Sequence, residues 1–154
     1  DGYRLLEFAL ANRKAPMIAP HRHDPALAAR LEAALQQPSL YDDAIRLLAR
    51  RGLPIDRAVL ERDLGRPWQA DASVKAAWLA IYRDSGHQWE LYQLAEKLVD
   101  IEDWFQQWRF RHVKTVERII GMKPGTGGSS GVRYLRGALD FAFFPELWQV
   151  RTEL

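Results

Sequence analysis

Cysteine is absent from the 154 residues. Its absence excludes disulfides, thiolate zinc sites, iron–sulfur ligation and a thiol nucleophile, and it fits a reducing compartment. Long apolar runs are missing as well. No stretch reaches the ~18 residues that a membrane helix needs, and no signal-peptide pattern opens the sequence. The expectation is a soluble, cytoplasmic protein with no membrane contact. A surplus of one charge is also lacking: 22 Lys and Arg stand against 20 Asp and Glu, a formal net charge of +2. A dedicated nucleic-acid binder would carry a larger basic excess, so no nucleic-acid partner is expected. Alternating strand patterns are absent, which leaves helix as the expected regular structure.

The expected fold is therefore all-α, a helical bundle in a single domain over residues 1–154. Tyr3 to Asn12 carries Leu5, Leu6, Phe8 and Ala9 in helical register. Met17 to His23, with Pro16 before it and Pro20 inside, reads as a loop. Asp24 and Pro25 form an N-cap and first helical position for a helix to about Gln37. Ser39, with Asp42 three residues on, starts the next as an acidic capping box and Gly52 ends it. A short helix follows from Asp56 and stops at Gly65 and Pro67; another runs from Ser73 to about Asp84. From His87 to Ile120 there is neither Gly nor Pro. This predicts one long central helix over about residues 87–120, roughly 50 Å at 1.5 Å per residue. Leu91, Leu94, Leu98, Ile101, Phe105, Trp108 and His112 recur at alternating steps of three and four, a seam expected to be buried. Gly121 ends the helix. Val132 to about Phe141 reads as helix, and Pro145 opens a last short one.

His112 interrupts that apolar seam. A charged imidazole is costly to bury, so a neutral ring with a partner is expected. The common case is a core histidine bonded to a carbonyl or carboxylate; the sharper one is a metal ligand. No second ligand lies at zinc or di-iron spacing, since His-Glu-x-x-His and a paired Glu-x-x-His are both missing. A lone imidazole suits haem best, because the porphyrin supplies the other four nitrogens. Arg109 and Arg111 are then candidates for the propionates, or simply a solvated face. His21 and His23 read as exposed loop residues and His87 as a helix-start residue. The six tryptophans are expected in a wide core or subunit interface, with the lining of a flat ligand as the alternative.

Thirteen residues after His112 begins Gly125-Thr126-Gly127-Gly128-Ser129-Ser130-Gly131. It follows a helix rather than a strand, and no lysine follows the glycines, so neither nucleotide fingerprint applies. Four glycines permit close backbone approach to a ligand, and the free amides ahead of the next helix face an anion. Such a loop can close over a charged substrate and exclude water; a plain flexible connector is the alternative.

Trp108-Arg109-Phe110-Arg111-His112, Val116 to Gly121, Gly125 to Gly131, Phe144-Pro145-Glu146-Leu147 and Val150-Arg151-Thr152 together resemble tryptophan 2,3-dioxygenase, as do Pro38 to Tyr41 and Leu98 to Asp100. The resemblance implies an all-α homotetramer with haem b that inserts both atoms of O₂ across the indole C2–C3 bond of L-tryptophan, giving N-formylkynurenine. It implies His112 as the axial ligand to ferrous iron and Thr126 as the contact to the substrate ammonium. Gly125, Gly127, Gly128, Ser129, Ser130 and Gly131 would form the closing loop. The family's distal histidine, indole pocket and carboxylate-gripping arginine lie upstream of this region. Arg4, His21 and His23 do not match them, so no catalytic residue is assignable here and the N-terminal part of the domain is expected to be missing. The alternatives are a haem sensor or carrier without turnover on the same fold, and a helical interaction module using the basic-aromatic stretch Trp104 to Lys114.

Overall fold

The structure, a computed structural model, describes residues 6–7, 9–10, 15–121, 136–137 and 139–154. Among them there is no strand, as the sequence pattern predicts. The helices are α1 (Pro25–Leu35), α2 (Leu40–Arg50), α3 (Arg57–Leu60), α4 (Ala72–Arg83), α5 (Trp89–Ile120) and α6 (Pro145–Val150), preceded by a 3₁₀ helix over Ala15–His21. That 3₁₀ helix replaces most of the loop expected over Met17 to His23. The tighter turn accommodates its prolines and packs Ile18 against Leu31 and Leu35 of α1. Of the first predicted helix, Leu6, Glu7, Ala9 and Leu10 are helical and the rest lies outside the described residues.

Local signals set most of the boundaries. Asp24 accepts from the Leu27 N–H, with Pro25 at the first helical position. Ser39 and Asp42 make the reciprocal capping box: the Ser39 N–H donates to Asp42 Oδ2 at 2.9 Å and Ser39 Oγ accepts from the Asp42 N–H at 3.4 Å. The start of α4 corrects the sequence reading by one step. The helix begins at Ala72 rather than Ser73, and its cap is Asp71, whose carboxylate accepts from the Ser73 and Val74 N–H groups. Helix α3 is a single turn that stops well before Gly65. Gly121 takes φ +61° and its N–H bonds the Glu117 carbonyl, closing α5 as expected. Arg136 and Gly137 are helical but Leu139 and Asp140 form a turn, so the helix expected to reach Phe141 stops short.

The chain divides into two compact units, residues 1–93 with 143–154, and residues 94–142. The first unit has a core of Tyr41, Ala44, Ile45 and Leu48 from α2, Val74, Ala77, Trp78 and Ile81 from α4, and Phe143, Phe144, Leu147 and Val150 around α6. Helix α6 packs on α4. Trp78 is the tryptophan buried in that core, whereas Trp89, Trp104, Trp108 and Trp148 are exposed.

In the second unit the buried stripe of α5 is not the predicted one. Ala95, Leu98, Glu102, Phe105, Arg109 and Val113 are buried, while Ile101, Trp108 and His112 are exposed. Of the expected seam in this unit, Leu98 and Phe105 alone are buried. The helix carries apolar side chains on both sides, and the sequence reading took the side richer in large ones. Burial falls about a quarter turn away, because Arg109 has partners there: its Nη1 donates to the Phe141 carbonyl at 2.9 Å and its guanidinium lies 4.8 Å from the centre of the Phe105 ring.

Candidate functional site

The exposed stripe of α5 carries Ile101, Trp104, Trp108, His112 and Ile119, at steps of three, four, four and seven, so all lie on one side of the helix. Trp104 is 71% exposed and Trp108 46%. Carbon surface of this extent facing water is what a ligand or partner face looks like. His112 stands within it. Its ring stacks parallel to the Trp108 indole, with centroids 5.2 Å apart and planes 4° apart. The i, i+4 spacing produces that stack, and the stack fixes the imidazole plane. The expectation of a buried ring is therefore corrected: the imidazole is exposed, outside the buried stripe of α5.

Arg109 is likewise corrected as a propionate partner, because it points inward to Phe105 and Phe141. Arg111 is exposed and, with Asp103, Gln106, Gln107, Phe110 and Leu139, lines an open cleft of about 470 Å³. Further along, Glu117 bonds both Lys114 and Arg136. Those two hydrogen bonds, Lys114 first, hold its carboxyl below the usual range. The contact with Arg136 has a topological consequence. It ties the chain beyond the glycine segment to the end of α5 that bears His112. Thr126 and Gly125 to Gly131 themselves lie outside the described residues. His23 bonds the Pro20 carbonyl and is exposed. His87 is exposed in the turn before α5 and bonds Asp84, which raises its pKa. Among the described residues, no group of three or more His, Asp or Glu side chains is placed to hold a bare metal ion.

Sequence reasoning missed a second polar centre, in the first unit. Glu146, in the first turn of α6, accepts at Oε1 from the Tyr41 hydroxyl at 2.7 Å and from the Asp71 N–H at 3.0 Å. Tyr41 stacks on Trp68 at 4.5 Å. Burial pushes the Glu146 carboxyl above its ordinary range despite these bonds, and burial together with Glu146 pushes the Tyr41 hydroxyl up as well. Next to it Asp42 receives Arg62 through both oxygens, at 2.6 and 2.8 Å. Burial alone would raise the Asp42 carboxyl, but Arg62 and Ser39 outweigh it and hold it below the usual range. The available signal was a glutamate set among Phe143, Phe144, Leu147 and Trp148, where a carboxylate is out of place unless it is bonded.

Fold and site define an all-α protein whose longest helix offers one imidazole from an exposed aromatic face, with the chain after a glycine-rich segment tied back to the same helix end. The tryptophan 2,3-dioxygenase family matches residues 2–154, and the chain belongs to that family. It is 62% identical over 152 residues to tryptophan 2,3-dioxygenase of Burkholderia pseudomallei (strain 668), covering 99% of this chain and 50% of that protein. Against tryptophan 2,3-dioxygenase of Bacillus cereus the identity is 60%, covering 99% and 54%. Against tryptophan 2,3-dioxygenase 1 of Ralstonia nicotianae it is 59%, covering 99% and 52%. The chain thus spans about half the length of the curated relatives it matches.

Proposed function

We propose that the whole protein to which this sequence belongs is a haem-dependent dioxygenase that adds both atoms of O₂ across the indole C2–C3 bond of L-tryptophan, giving N-formylkynurenine for the kynurenine pathway. The observation that carries this reading is the family match over residues 2–154; one haem-dioxygenase domain over residues 1–154 is part of the same proposal. The residues present fit haem b. The donor set is a single imidazole, its plane is set by Trp108, and the surrounding face is apolar. His112 would hold the iron, and when bound the group supplies a ferrous site for O₂. Thr126 would bind the substrate ammonium, and the Gly125–Gly131 segment would close over it and keep water out. Both oxygen atoms enter the product, so no external reductant is consumed.

A homotetramer in the cytoplasm is part of the same proposal. The exposed tryptophans give it surface to use, and no helix among the described residues is long and apolar enough to cross a membrane.

The test is a pair of variants in the whole protein. His112→Ala is expected to abolish the Soret band while far-ultraviolet circular dichroism stays helical. Thr126→Ala is expected to keep the Soret band and raise KM for tryptophan. A His112→Ala protein that keeps its haem overturns the ligand assignment. A wild-type Soret band without tryptophan-dependent O₂ uptake selects a haem carrier instead.

A further inference from the structure

Glu146 is buried, and nothing in the chemistry above uses it. Its contacts are not local. One oxygen, Oε1, takes a hydrogen bond from Tyr41, 105 positions earlier, and one from the backbone of Asp71, 75 positions earlier. Tyr41 is the second residue of α2 and Asp71 is the N-cap of α4. A single carboxyl on the first turn of α6 therefore joins the starts of three helices. Helix α6 has six residues and no side-chain cap of its own, so its place depends on apolar packing and on this junction.

We propose that the Glu146 carboxyl is a proton-operated latch that seats α6 firmly on the starts of α2 and α4 when protonated and more weakly when ionised.

The charged groups around it give the direction. From α2 the Tyr41 hydroxyl faces it, and Asp42 beside Tyr41 is engaged by Arg62. At the start of α4 the Asp71 carboxylate, held below its ordinary range by bonds from Ser73 and Val74, opposes a second negative charge on Glu146. Lys75 and Arg83 of α4 reach Glu153, through its carboxylate and its carbonyl, and Arg151 lies over Tyr82. Ionising Glu146 thus puts a charge into a buried place next to an existing carboxylate. The donors, the Tyr41 hydroxyl and the N–H groups of Glu146 itself and of Asp71, offset the cost of burial only in part. A carboxyl raised in the folded state gives its full contribution below its unfolded value. That contribution is lost as pH rises through the folded value, so the latch loosens upward from the ordinary glutamate range.

Hydrogen exchange of the whole protein, followed by mass spectrometry from pH 4.5 to 8 and corrected for intrinsic rates, tests this. Protection of residues 147–150 is expected to fall with rising pH relative to residues 31–35 of α1, by up to ~tenfold per pH unit within the titration window, the limit for one linked proton. Glu146→Gln keeps an oxygen for these donors and cannot titrate, so its relative protection is expected to be flat. A flat wild-type profile overturns the proposal, and so does a Glu146→Gln profile that falls in parallel with wild type. Should the variant not fold, the wild-type series decides alone.

Discussion

Arg62→Ala removes one half of a buried ion pair, and the structure sets how much that should cost. The Arg62 side chain is 13% exposed and that of Asp42 5%, so water screens little of the interaction. Two parallel bonds are lost, at 2.6 and 2.8 Å, together with those from Nη1 to the Arg66 carbonyl at 2.7 Å and the Asp63 carbonyl at 3.3 Å. Breaking a buried pair by deleting one partner typically costs about 3–5 kcal/mol. Asp42 retains the Ser39 N–H and hydroxyl, which places this case at the lower end, ~3 kcal/mol. For a chain of this length that corresponds to a drop of roughly 6–12 °C in Tm. The pH dependence has a fixed sign. The folded-state carboxyl of Asp42 lies below its unfolded value, so its contribution is present above the unfolded value and lost as pH falls through the folded one. The gap between wild type and variant, read by urea denaturation, should be widest near neutrality and narrow in acid. The double variant with Asp42→Ala should lose less than the two single losses added together. A loss below ~1 kcal/mol at pH 7, or a gap that does not narrow in acid, refutes the reading.

Two smaller effects are expected elsewhere. Asp71→Ala deletes the cap of α4 and should cost ~1 kcal/mol by urea denaturation at pH 7, with the difference shrinking in acid because bonds from Ser73 hold the carboxyl below its ordinary range. Gly121→Ala meets no atom within 4 Å but forces a side chain into φ +61°, so a loss of ~1 kcal/mol in the same assay is expected; no loss would mean that the turn relaxes.

Local chemistry was legible in the sequence wherever it is self-contained. The Ser39–Asp42 box, the Asp24–Pro25 start, the Gly121 stop and the unbroken run of α5 each need only neighbouring residues, and each is found. Long-range pairings were not legible. Nothing near Glu146 announces Tyr41, and nothing near Arg62 announces Asp42, twenty residues earlier. The 3₁₀ turn over Ala15–His21 escaped for a similar reason, since its prolines read as breakers until Ile18 is seen against α1.

The seam of α5 shows why an apolar pattern alone cannot say which side of a helix is buried. Leu98 and Phe105 belong to either choice. Ile101 and Trp108 argue for one side, and only partnered polar groups make the other viable. Once Arg109 is seen bonded to the Phe141 carbonyl and held over Phe105, the helix no longer needs Trp108 and His112 inside. Those two residues are then left to present a stacked indole and imidazole outward. A seam chosen for hydrophobicity would have buried the one imidazole on this helix. The seam that folds leaves it exposed beside Trp108.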